Sequence, residues 1–205
     1  MGQYSDVIPV TITADTVALD ADGISVAASV GNNAALVIGG ALADSGSLTL
    51  SHGRLITILS AGDDSSKSFT VVGTDVNGDS QTETVTGANA GTATSSKYFK
   101  TIASITAVGN PAGNVSAGIN ASAADAIFTM RSRLKGMFLT STATAGEIDF
   151  LTSSPSGTSI MKLSSVSDAD ATRDVTIPNE GVVFTSGIYI QYTVSTFLTM
   201  TVFHA

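Results

Sequence analysis

This 205-residue chain predicts an all-β fold: two antiparallel β-sandwich or jelly-roll-like modules with little helix. Short runs rich in Val, Ile, Thr and Phe recur along it, separated by Gly, Asn, Asp, Ser and Pro clusters that favour turns. Asn77-Gly78, set between two Thr/Val-rich runs, is a strong hairpin signal because both residues tolerate positive φ. Helical periodicity is weak. Its best segment is Ser122–Met130, where Ala123, Ala124, Ile127 and Phe128 would share one face over about two turns.

The first strand reads as Val7–Thr13, and Pro9, which has no amide donor, fits it to an edge or an extended arm. Gly23–Val30 and Ala34–Ile38 follow, divided by Gly31-Asn-Asn33. Ser47–Leu50 and Leu55–Leu59 flank a turn containing His52. Ser68–Val72 and Gln81–Val85 form the Asn-Gly hairpin. A two-residue loop would set Phe69 opposite Thr86, whereas a three-residue loop pairing Asp75 with Asp79 sets it opposite Val85. A slip of one residue turns every side chain to the other face, so the apolar pattern favours the longer loop. Ser104–Val108 and Val115–Ile119 come next, then the helical segment. Beyond it lie Leu134–Leu139, Ile148–Leu151, Met161–Leu163, Val175–Ile177, Val182–Phe184, Ile188–Tyr192 and Phe197–Phe203. The Gly/Ala/Asn/Ser stretch Ala112–Ala124 marks a boundary between a domain at 1–124, with a possible extended arm at 1–13, and one at 125–205.

Hydrophobic residues make up 43% of the chain but aromatics only 6%, so Ala, Val, Ile, Leu and Thr must do most of the packing. Charged residues are 13%, which leaves Ser, Thr, Asn and Gly to cover the surface. The net charge of −8 opposes binding to nucleic acid. Without cysteine there are neither disulfides nor thiolate metal sites. The first residues show no basic and apolar leader pattern, and the longest apolar run, Ala34–Ala43, is too short to span a bilayer; a soluble protein is expected. A second domain of about eighty residues without staples is marginal alone, which favours a homo-oligomer.

Sequence offers little catalytic chemistry. His52 reads as a turn residue and His204 as an exposed end, and neither lies near a nucleophile motif. Glu147 and Asp149 share one face of a strand, a weak echo of the carboxylate pair of glycosidases. Asp75-Val-Asn-Gly-Asp79, with Asp63-Asp64 as possible neighbours, imitates the start of a calcium loop but has its Gly too early and lacks the closing Glu. No cofactor is expected. Arg131, Arg133 and Lys135 follow a span, Ser80–Ala124, that contains no Asp and one Glu. They read as a solvated face, or more sharply as a contact with an acidic neighbouring subunit.

The hairpin Ser68–Gly87, its continuation Thr82-Glu-Thr-Val-Thr-Gly-Ala-Asn-Ala-Gly-Thr92 and the run Lys97-Tyr-Phe-Lys-Thr-Ile102 resemble structural proteins of tailed bacteriophage particles, head decoration (cement) proteins above all. Ile177-Pro-Asn-Glu-Gly-Val-Val-Phe184, Thr185-Ser-Gly-Ile-Tyr-Ile190 and Thr199-Met-Thr-Val-Phe203 extend the resemblance to roughly half the chain. It implies a non-enzymatic virion component, assembled in the host cytoplasm, that stabilises the head as a homotrimer on the major capsid protein. A tail fibre, spike, tail tube or adaptor subunit is the alternative. Neither nucleic acid nor membrane is an expected partner. Within that reading, Val7, Ile8, Pro9 and Val10 are candidate attachment residues, either adding a strand to a neighbour or packing as an edge strand at home.

Overall fold

The computed structural model describes residues 6–13, 20–120, 124–154, 156–192 and 196–205, and they are built of β-strands. The strands fall into two units, a central one (20–120) and a terminal one formed by residues 6–13 with the chain from 124 onward.

The central unit contains β2 (Asp20–Ser29), β3 (Leu48–Ser60), β4 (Ser68–Thr74), β5 (Ser80–Thr86), β6 (Thr92–Val108) and β7 (Asn114–Ile119). Its strands pair antiparallel in the order β5-β4-β6-β3-β7-β2. The segment after β2 closes the circuit. The amides of Gly39 and Gly40 donate to the Ile24 carbonyl, while Leu36 N–H donates to Ile105 O and Asn33 N–H to Ala107 O. Gly40 makes this possible, because a Cβ there would collide with the backbone of Asp22 and Gly23. Inside the circuit lie Ile24, Leu48, Ile56, Ile58, Phe69, Val71, Phe99, Ile102, Ile105 and Val115, all essentially solvent-free.

The hairpin takes the longer loop. Thr74 pairs with Ser80 and Phe69 with Val85, both buried. The Asp75 amide donates to the Asp79 carbonyl at 2.9 Å, and Gly78 takes the left-handed φ of 88° that the turn requires.

The terminal unit is a sandwich. One sheet runs β1 (Ile8–Thr13), β15 (Phe197–His204), β9 (Ser132–Ser141) and β12 (Thr172–Thr176), with β13 (Val182–Phe184) on the same edge of β9 as β12. The other runs β11 (Thr158–Ser165), β10 (Gly146–Thr152), β14 (Ile188–Tyr192) and β8 (Ala124–Phe128). Ile12, Leu134, Met137, Leu139, Met200 and Val202 of the first sheet pack with Ile127, Ile148, Phe150, Ile188 and Ile190 of the second.

Three expectations are corrected here. The helix expected over Ser122–Met130 does not form in its described part: residues 124–128 form β8 and pair with β14, a ladder that outweighs two turns of marginal helix. Residues 121–123 lie outside the described set. The first strand does not belong with an N-terminal domain 1–124 or extend as an arm. Residues 8–13 hydrogen-bond along β15, from Ile8 opposite His204 to Thr13 opposite Thr199, which places them in the terminal unit. Ser47–Leu50 and Leu55–Leu59 are one strand, with His52 buried inside it at a wide bulge against β6 instead of exposed in a turn.

Candidate interaction surfaces and the carboxylate cluster

Alternation fixes what each sheet shows to the outside. In the terminal unit, β1-β15-β9-β12 presents the rungs Thr11–Thr201–Phe138–Asp174 and Thr13–Thr199–Thr140–Thr172, flanked by Pro9–Phe203–Gly136–Thr176. The Thr11 and Thr201 hydroxyls lie 2.9 Å apart across the strands. In the central unit, β5-β4-β6 presents Thr84–Thr70–Thr106, Thr82–Val72–Ser104 and Ser80–Thr74–Thr101. Thr is a good strand former and its hydroxyl satisfies water, so these rungs are largely polar, and Asp174 is the one charged residue among them.

The four candidate attachment residues of the first strand are placed as an edge. Ile8 and Pro9 are exposed, Val7 and Val10 half-buried. The three basic positions separate. Arg131 is exposed ahead of β9. The Arg133 guanidinium donates to the Glu180 carbonyl at 3.2 Å, and the Lys135 carbonyl accepts the Ile177 amide at 3.1 Å. Arg133 and Lys135 thus border the 178–181 turn that carries the chain from β12 to β13 along β9.

Glu147 and Asp149 do share a face of β10, and the partner strand β11 brings Lys162 to them. The Lys162 ammonium contacts Glu147 Oε1 and lies 3.6 Å from Asp149 Oδ2, and Ser159 Oγ donates to Asp149 Oδ1 at 2.5 Å. The Glu147 hydrogen bond, aided by its charge, raises the Lys162 pKa above the ordinary lysine value. Glu147, Asp149 and Lys162 line an open hollow of about 260 Å³ together with Gln191 and Tyr192. With a cation bridging both carboxylates, the cluster works as a charge-assisted cross-strand tie.

The remaining candidates are also committed to local bonds. His204 is buried, not frayed. Its Nδ1 lies 3.2 Å from Ser132 Oγ, its ring packs 4.9 Å from that of Phe128, and burial lowers its pKa. Ser132 Oγ donates to the Ala205 carbonyl at 3.0 Å, so its proton points away from the imidazole, the reverse of an activated nucleophile. Asp75 Oδ1 accepts the amides of Asn77 and Asp79, each at 2.9 Å, which makes the calcium-like segment an Asx-stabilised turn. Asp63 Oδ1 accepts the Ser65 hydroxyl at 2.7 Å and its amide at 3.1 Å, which holds its carboxyl below the usual range. Buried Asp64 accepts the Ala112 amide at 2.7 Å. Among the described residues no three His, Asp or Glu side chains gather into a metal-binding group, and no helix is long and apolar enough to cross a membrane.

No known protein family, curated protein or solved structure matches this chain.

Proposed function

We propose that this chain is a non-enzymatic structural component of a tailed-phage particle: a capsid decoration (cement) protein that works as a homotrimer on the major capsid protein. The phage assignment rests on the resemblance of the segments now seen as β4, β5 and β6 and as the β13–β15 region. The observation that carries the structural role is the set of hydroxyl-rich rungs on the two sheets, among whose residues Asp174 is the one that is charged. A subunit that must lie against neighbours of unmatched charge benefits from such faces, because burying an unpaired charge costs far more than burying a hydroxyl that finds a partner. The Glu147–Lys162–Asp149 tie supports the same reading, since it spends the best-placed carboxylates on holding two strands together.

Imaging gold-labelled protein on intact virions tests it. Label over the head, in copies that follow the capsid lattice, is the expected result. Label confined to the tail would replace the decoration role with that of a tail fibre, spike, tube or adaptor subunit.

A further inference from the structure

β5 is an edge strand. It pairs with β4 on one side and, among the described residues, with no strand on the other. The Asp75 amide bonds the Asp79 carbonyl, so alternation along the hairpin turns the N–H and C=O of Ser80, Thr82, Thr84 and Thr86 away from β4. Val85 buries its side chain, while Gln81 and Glu83, on the same side of the strand, are half-buried.

Those two polar side chains meet a bulge in β6. Leu55 of β3 pairs with Tyr98 and Thr57 with Thr94, so residues 95–97 of β6 stand against Ile56 alone. Ser95 Oγ takes up the Ile56 amide at 2.8 Å. The next two amides turn to a single carboxylate. Glu83 Oε1 accepts the Ser96 amide at 2.7 Å and the Ser96 hydroxyl at 2.8 Å, and its Oε2 accepts the Lys97 amide at 2.9 Å. Lys97 Nζ donates in return to the Thr82 carbonyl at 2.8 Å, and Gln81 Nε2 donates to the Tyr98 carbonyl. Successive amides of this kind make a concavity that holds an anion, and here the chain fills it with its own side chain.

We propose that Glu83 is the latch of this edge: it pins β5 to the β6 bulge and keeps β5 from pairing with the β5 of a second copy. A second copy is the occupant to be kept out because the edge is self-complementary. In the antiparallel register centred on residue 83, Thr82 meets Thr84 and Ser80 meets Thr86, so the outward groups of both copies find partners about a two-fold axis. That register also sets Glu83 opposite Glu83 in the closer, non-hydrogen-bonded kind of pair, where like charges oppose each other. The same carboxylate thus holds its own strand and repels the copy. Lys97 adds a cap on the outward carbonyl of Thr82. Inward-pointing charges on edge strands protect sheets from edge-to-edge association in this way.

Glu83→Gln tests the latch, with Glu180→Gln, at an exposed turn, as the control for an equal change in net charge. Circular dichroism matching wild type establishes folding; if Glu83→Gln misfolds, Glu83→Thr, a good strand former without the carboxylate, takes its place. Amide exchange at Ser96 and Lys97, followed by NMR, should speed up by at least about tenfold in Glu83→Gln, the low end for losing hydrogen bonds to a charged group, and stay unchanged in Glu180→Gln. Sedimentation should show Glu83→Gln forming species larger than wild type at concentrations where Glu180→Gln does not. Adding Thr84→Pro, which removes an outward amide donor, should return the mass to the wild-type value. Unchanged exchange in Glu83→Gln would overturn the latch. Faster exchange at wild-type mass would overturn its role in guarding the edge. Association that survives Thr84→Pro, or that Glu180→Gln shares, would overturn the pairing through β5.

Discussion

Replacing Phe69 by Ala tests the hairpin register directly. Phe69 is fully buried, opposite Val85 on β5 and Ala107 on β6, and it packs in the central core. Truncating a buried phenylalanine removes its transfer energy and leaves a cavity, which together cost about 3–5 kcal/mol. A unit of this size shifts its melting temperature by about 4–8 °C per kcal/mol, so a fall of at least about 12 °C is expected. In the shorter-loop register Phe69 would lie on the hydroxyl face, and its loss would cost less than about 0.5 kcal/mol, as surface substitutions do. Urea unfolding followed by circular dichroism separates these outcomes: the midpoint should drop with the slope unchanged. Thr70→Ala, one position along and facing outward, is the internal control and should move the midpoint little. A Phe69→Ala loss below about 1 kcal/mol would falsify the register, since no relaxation of a packed core lowers the penalty that far.

Other perturbations follow from particular contacts. Gly40→Val drives a side chain into the backbone of Asp22 and Gly23, so it should open the circuit that closes the central unit. The cost should reach at least the roughly 1–3 kcal/mol of core overpacking, read as a lower melting temperature and faster amide exchange at Gly39 and Leu42. His204 is held neutral by burial, its pKa below the ordinary 6.5. The unfolded chain therefore binds more protons below that value, and stability should be full above pH 6.5 and decline as pH falls beneath it. His204→Gln should flatten that part of the stability–pH curve, and an unchanged slope would assign it to other groups. NMR titration of the Lys162 ammonium should give a pKa above the ordinary lysine value in wild type and a lower one in Glu147→Gln. No difference between the two would remove the tie.

The hairpin register was legible because Phe69 and Val85 gave alternation something to choose between. Where the outward and inward residues are both small or polar, that signal fails. Thr92–Lys100 forms the first half of the seventeen-residue β6, yet its Thr-Ala-Thr-Ser-Ser start offers no apolar period to read. Bulges hide the rest. Counting back from the β10–β11 turn, where Thr152 pairs with Thr158, would set Lys162 opposite Ile148. A bulge between Phe150 and Leu151 moves it opposite Asp149, within reach of both carboxylates. His52 was misplaced for the same reason, because the β3–β6 bulge lets one strand run through a sequence that looks like a turn. The apolar run Ala34–Ala43 was visible. That its middle closes a ring of strands while Val37 stays exposed depends on contacts with β2 and β6 that no local pattern encodes.

Salt dependence separates the two ways in which copies of this chain could meet. A seam made by Arg131, Arg133 and Lys135 against an acidic neighbour would gain from charge attraction and weaken as salt rises. A seam without ion pairs would feel salt mainly through the repulsion between copies of charge −8. The screening length falls from about 10 Å at 0.1 M to about 3 Å at 1 M, which removes most of that repulsion. Added salt also strengthens apolar burial when the anion is excluded from protein surfaces, as sulfate is, so sodium chloride is the cleaner titrant. Sedimentation at rising sodium chloride should therefore show association that tightens or holds constant, while a seam built on the basic residues would loosen. Arg133 is bonded to the Glu180 carbonyl of its own chain, which leaves Arg131 as the most open cation of the three. Loosening with salt, together with loss of association in Arg131→Ala, would place the seam at the basic residues.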